Sequence, residues 1–327
     1  MIKFFRQSYA IQYVVIALMA VALWIPAFAS GKVTMGLVEP VTPIFNLMDR
    51  LLGFSPFIQH IFAFVLLVFE TLFFNAILVK NQIVGKVSTM GAFVFVLLMS
   101  MTRTQTNFYP FALSVFFILL VISNLFDSYL MPNAEMNLLK VGLCLALASM
   151  CYFPSVLLIF WVMIVLPIAK KGSIRLQLIP IFGFLFVYFL YFVGVFLFGD
   201  FQNLLLGYKD YFSVLHFSVN GFNLKNIILL AILLVATVVL FFGGNNASFE
   251  KTIAVRIKIS MTTIMAFFGV ILLFMSGNVL MNGLIFIVLS ILFSYAFSYM
   301  GNTGWANLFL ILFLLLVFAN QYYFKFL

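Results

Sequence analysis

Carboxylates and histidines are scarce in this chain: Asp and Glu total 8 and His 2 among 327 residues. Where they fall therefore carries most of the chemical signal. Glu39 and Asp49 sit in one polar connection, 31–56, and Asp200, Asp210 and His216 in another, 199–223. A carboxylate at a membrane surface can act as general base toward an incoming hydroxyl, or can hold a divalent metal. Glu39 and Asp49 are the catalytic candidates, Glu39 the sharper because little else beside Glu39-Pro40 is polar. The nearby cations are Lys32, Arg50, Arg103 and Lys209. A guanidinium fork donates two bonds to one phosphate, which suits Arg50 and Arg103 to a phospholipid or a polyprenyl phosphate. In 199–223, Phe201, Tyr208, Tyr211, Phe212, Phe217 and Phe222 are interleaved with Asp200, Asp210 and His216. That mixture can stack on a sugar ring and hydrogen-bond its hydroxyls.

Glu70 stands apart, inside an apolar stretch with Thr71 and Asn75. An intramembrane carboxyl is a functional candidate by default, as a proton carrier or as an acid bonded to a neighbouring helix. Its place in the inner half of the second expected span, away from the exterior loops, argues against a shared site. Each of these groups also has a plainer use: solvated loop charge, head-group anchoring, the interfacial aromatic belt, or helix-to-helix contact. Several signatures are missing. Gly85-Lys86 lacks the rest of a phosphate-binding loop, and two lone histidines with two cysteines make no zinc site. Metal and cofactor stay open. Asn246-Ala247-Ser248 matches a glycosylation sequon by chance, since the topology below puts it in the cytoplasm.

The elements that must position these residues are membrane helices. Hydrophobic residues are 66% of the chain and charged ones 8%, against roughly 45–50% and 25% in soluble proteins. A soluble globular domain is excluded, and 1–327 reads as a single integral membrane domain. The net charge of +9 comes without a basic stripe and stacking aromatics, so nucleic acid is not the partner. Lys and Arg that anchor cytoplasmic loops account for it. Cys144 and Cys151 lie about two turns apart on one helix face, too far for a disulfide. The N-terminus imitates a secretory signal up to Ala27-Phe28-Ala29. Its apolar core, 11–29, exceeds the ~7–15 residues such signals use, so it reads as the first span.

Apolar runs predict spans at 11–29, 57–79, 87–101, 108–125, 137–152, 154–169, 176–198, 224–242, 258–275, 279–298 and 303–320, about eleven in all. As one helix, 137–169 would be about 50 Å long, too long for a ~30 Å core. Read as two short spans, it leaves most Lys and Arg on the side of the N-terminus. Read as one, the two sides even out, so positive-inside asymmetry favours the pair. Pro154 then marks a turn partway through the membrane, which protein or a watery cavity must surround. Between the first two spans, 41–54 predicts an amphipathic helix lying along the interface. Val41, Ile44, Phe45, Met48, Leu51 and Leu52 share one face, and Thr42, Asn46, Asp49 and Arg50 the other.

The stretch 138–166, LLKVGLCLALASMCYFPSVLLIFWVMIVL, sets small residues (Gly142, Ala146, Ala148, Ser149) before an aromatic turn and a bulky apolar run. It resembles the short paired helices of GT-C class glycosyltransferases, which take sugars from polyprenyl-linked donors. That class carries an interfacial helix and a catalytic carboxylate in its first exterior loop. The resemblance implies Glu39 as base, with Arg50 or Arg103 neutralising donor phosphate. The chain departs from it in lacking paired acidic residues there. Over its whole length the chain resembles an uncharacterised inner-membrane family of Bacteroidota. The resemblance rests on Asn75…Lys80, a turn at Phe126-Asp127-Ser128-Tyr129, and Ala148-Ser149…Tyr152-Phe153-Pro154. That family implies fold and location rather than chemistry.

The expectation is an all-α polytopic bundle in a bacterial inner membrane, N-terminus cytoplasmic. Its working face is outward, handling a polyprenyl-linked sugar among membrane lipid. A transporter or channel built on Glu70 is the rival class, recognised by a cavity centred on that residue. A non-catalytic subunit of an envelope complex is the third.

Overall fold

A backbone in lipid has no water to bond, so apolar runs of this length must satisfy their own N–H and C=O groups as helices. In the computed structural model every regular element among the described residues is helical. Those residues are 1–30, 42–53, 55–85, 87–102, 105–131, 133–169, 171–199, 201–214, 253–275, 283–300 and 303–324. In chain order the helices are α1 (Ile2–Phe5), α2 (Ala10–Ser30), α3 (Pro43–Leu52), α4 (Pro56–Lys80), α5 (Met90–Met99), α6 (Pro110–Leu130) and α7 (Glu135–Cys151). A 3-10 turn (Phe153–Leu157) leads into α8 (Leu158–Ile168). Then follow α9 (Ile174–Phe198), α10 (Phe201–Val214), α11 (Ile253–Met275), α12 (Leu284–Tyr299), α13 (Thr303–Ala319) and a wide π turn (Asn320–Phe324).

Six helices (α2, α4, α6, α9, α11 and α13) are long and apolar enough to cross a membrane. The protein is a multi-pass membrane bundle. Each expected span has a helical counterpart except 224–242, which lies outside the described residues, and several counterparts are short. Prolines at the first turn start α3, α4 and α6, where the missing N–H costs nothing. The expected turn at Phe126–Tyr129 is instead the last turn of α6.

One end of the bundle is basic and tied together. Lys80 pairs with Asp127 at 2.6 Å, Lys258 Nζ donates to Asn81 Oδ1 at 2.8 Å, and Arg175 reaches Glu135 at 3.1 Å. Arg6 donates to the carbonyls of Phe297 and Met300, each at 2.8 Å, closing the end of α12. Burial there lowers the Arg6 pKa from its ordinary value. The Ile2 amide donates to Asn307 of α13. The short α1 thus fastens the N-terminus under two late helices.

These ties also resolve the expected pair. Lys171, after α8, donates to the carbonyl of Met131, just before α7, and Glu135 meets Arg175. The chain therefore leaves the basic end along α7 and is back at it by Lys171. Tyr152 ends α7 in extended backbone, the 3-10 turn reverses direction, and α8 descends, held to α11 by Trp161 Nε1 donating to Met261 O. Residues 135–168 form two short helices joined by a reversal, not one kinked helix. Small residues set the first of them close to α9: a Cβ on Gly142 would lie 2.1 Å from Pro180 O.

Candidate functional site

The helix α5 has 10 residues, about 15 Å, half of a ~30 Å core. The expected span 87–101 is thus cut short, and the polar run after it begins at membrane depth. Irregular backbone survives there only where protein or water bonds it. Protein does so here. Asn320 Nδ2 donates to Met101 O at 2.8 Å and Gln321 Nε2 to Ser100 O at 2.6 Å, both from the π turn after α13. Trp24 Nε1 donates to the Ser100 hydroxyl at 3.1 Å. Within the loop, the Thr102 and Gln105 side chains bond each other's backbone N–H. Ser100, Thr102, Gln105, Thr106 and Asn107 are all buried.

This loop brings polar groups to Glu70. Glu70 is 4% exposed and lines a cavity of about 20 Å³ with Gln105, Asn107, Tyr109, Trp24 and Met99. Glu70 Oε1 and Gln105 Nε2 have no hydrogen-bond partner among the described residues. Asn107 Oδ1, an acceptor, lies 3.0 Å from His60 Nε2, while His60 Nδ1 faces Pro56 O at 2.7 Å. His60 is 1% exposed. A polar line therefore runs from Glu70 through the loop to His60, roughly 15 Å farther along α4 and near its start. The groups that reach Glu70 come from the 102–107 loop, not from 31–56 or 199–223.

At the same end, α3 is the amphipathic helix expected at 41–54, two-sided and ending at Gly53. Phe45 is buried and stacks on Phe108 of the loop at 5.3 Å, with Ile44, Met48 and Leu52 packed on the core. Leu51, expected on that inner face, is instead exposed with Leu47. Asp49 turns partly inward and accepts from Gln59 Nε2 at 3.2 Å, which pins α3 to α4. Arg50 is exposed.

Of the other expected site residues, Glu39, Arg103, Asp200 and His216 lie outside the described residues, as does Lys32. Lys209 and Asp210 are exposed on α10. The stretch expected as a loop is helical over Phe201–Val214, and its rings have packing work. Tyr208 and Tyr211 meet Phe153 edge-on at 5.6 and 5.0 Å, and Phe201 meets Phe192 and Phe196. Burial pushes the Tyr208 phenol above its ordinary pKa, with Tyr188 and Tyr191 adding to the rise. These contacts are those of an aromatic belt folded over the 3-10 turn. Asn75 is fully bonded at the basic end: its Nδ2 donates to Tyr13 Oη and Ser88 O, and its Oδ1 accepts from Ala92 N. It shares no cavity with Glu70 among those described. Cys144 and Cys151 are free thiols.

Gln105, Asn107, His60 and Tyr109 were not singled out from sequence. The available signal was the polar run at 102–107 after an apolar stretch too short to cross. Compared with family models, curated protein sequences and solved structures, the chain matches nothing. Its chemistry rests on the site alone.

Proposed function

We propose that this multi-pass protein of a bacterial inner membrane binds and passes a proton at Glu70, in transport or sensing across the membrane. The carrying observation is the unpartnered Glu70 Oε1 in a cavity lined also by Asn107, which is bonded to His60. Room for one water needs at least ~10–15 Å³, so a cavity of about 20 Å³ takes one. A water there has Gln105 Nε2 as donor and Glu70 Oε1 as acceptor. A metal ion suits the site poorly, since Glu70 is its one carboxylate and Gln105 Nε2 would present N–H to the cation. His60, buried between two oxygen atoms, is the next group able to hold a proton.

A second reading draws on the amphipathic α3 and the reversal at Tyr152, which fit the GT-C layout. In it the protein transfers a sugar from a polyprenyl phosphate, with Glu39 as base and Arg50 or Arg103 on the phosphate.

One experiment separates the two: Glu39→Gln and Glu70→Gln in parallel. Each is assayed for proton entry into liposomes carrying a trapped pH dye, and for the envelope glycan of the host strain. Loss of proton entry in Glu70→Gln alone is the expected result. Loss of glycan in Glu39→Gln, with Glu70→Gln normal in both assays, would put the transferase ahead.

A further inference from the structure

A second cavity lies at the basic end, between the start of α2, the second half of α4 and residues 87–88. It measures about 330 Å³ and is open at the side. Leu72, Ala76 and Val79 form one wall, at the spacing of a single helix face. Leu72 is half exposed there, on the same α4 surface as the exposed Val65 and Phe69, which reads as lipid-facing. Ser8 and Tyr13 stand opposite.

We infer that this crevice is a binding site for one glycerophospholipid, an acyl chain along Leu72–Val79 and the phosphate end at Ser8 and Tyr13. The floor is polar, lined by Ser8, Tyr13, Asn75 and Ser88. Asn75 donates to Tyr13 Oη at 3.2 Å, so the Tyr13 hydroxyl is used as an acceptor and keeps its own proton to donate. The Ser8 hydroxyl has no partner among the described residues. Two hydroxyl donors therefore line a cavity that opens on lipid. Lys80, one turn beyond Ala76, keeps its side chain 62% exposed while paired with Asp127.

Position favours a lipid chain as the occupant: the crevice opens beside Leu72, on the α4 surface that also leaves Val65 and Phe69 exposed. In lipid, an open crevice of this kind is filled from the bilayer. What is specific here is the pair of hydroxyl donors, Ser8 and Tyr13, which fit a phosphate oxygen.

The test is retention of dioleoyl phosphatidylglycerol by purified, delipidated protein, read by native mass spectrometry. Wild type should hold one lipid through detergent removal. Ala76→Trp, which fills the crevice, should cut retention at least tenfold. Ser8→Ala should cut it about fivefold, the worth of one hydrogen bond. Leu185→Trp, on the exposed face of α9, should match wild type. The site is overturned if Ala76→Trp and Ser8→Ala both retain lipid like wild type, or if Leu185→Trp loses as much as they do. Thermal unfolding of each variant separates lost lipid from a lost fold, and Ser8→Ala, a small change near the surface, keeps the test open if Ala76→Trp fails to fold.

Discussion

The side-chain amide of Gln321 donates to the carbonyl of Ser100 at 2.6 Å, joining positions 221 apart in the chain. With Asn320 on Met101, it occupies the two carbonyls exposed where α5 stops halfway through the membrane. The last described turn of the protein thus holds down the loop that reaches Glu70.

Cutting this clamp should loosen the loop. An unmade bond to a buried carbonyl costs about 1–3 kcal/mol, and lipid offers no replacement. Asn320→Ala and Gln321→Ala are each expected to lower unfolding stability in detergent by that amount. A cysteine placed at Met101 should also react faster with a water-soluble maleimide in either variant. Unchanged labelling together with unchanged stability would show that the loop holds its own position.

How much of this was legible beforehand depends on range. The helices and the reversal at Tyr152 follow from local composition: runs of Leu, Ile and Phe, prolines at first turns, and the asymmetry of Lys and Arg. The amphipathic α3 was legible for the same reason, since Phe45 and Met48 face inward by helical spacing alone. The site was not. It depends on Asn320 and Gln321 meeting Ser100 and Met101, and on Asn107 meeting His60 from another helix. Nothing in the local pattern around Glu70 announces such long-range pairs. Leu51 shows a related limit: helical spacing marks out the apolar side but not which part of it packs on protein, and Leu47 and Leu51 are left exposed at its edge.

Close approach of α7 and α9 gives a second prediction. A Cβ on Gly142 would sit 2.1 Å from Pro180 O, and one on Gly183 2.8 Å from Leu139 O. Neither neighbour is a flexible side-chain tip, so the helices must part. Gly142→Ala should cost about 1–3 kcal/mol or more by overpacking, and Gly183→Ala less. Gly194, on the same helix α9, has nothing within 4 Å of its Cβ position. There alanine should stabilise by about 0.5–1 kcal/mol through backbone entropy. Melting curves of the three variants decide it: equal shifts would show that the helix contact is not the cause.

Lys258 supplies the last prediction. It is 2% exposed, its Nζ donates to Asn81 Oδ1 at 2.8 Å, and the Phe126 ring centroid lies 6.0 Å away. Asn81 spends its Nδ2 on Ile77 O at 2.8 Å, which fixes the amide with its oxygen toward the lysine. Removing the acceptor of a buried ammonium leaves that charge unsatisfied, at about 1.5–3 kcal/mol, whereas replacing the charge itself by an apolar group can be nearly neutral. Asn81→Leu should therefore destabilise strongly and Lys258→Met little. The double variant should recover much of the loss, because the stranded ammonium is gone. Denaturant unfolding of the three proteins measures this directly. If Lys258→Met costs as much as Asn81→Leu, the lysine holds α11 to α4 through packing of its stem rather than through its charge.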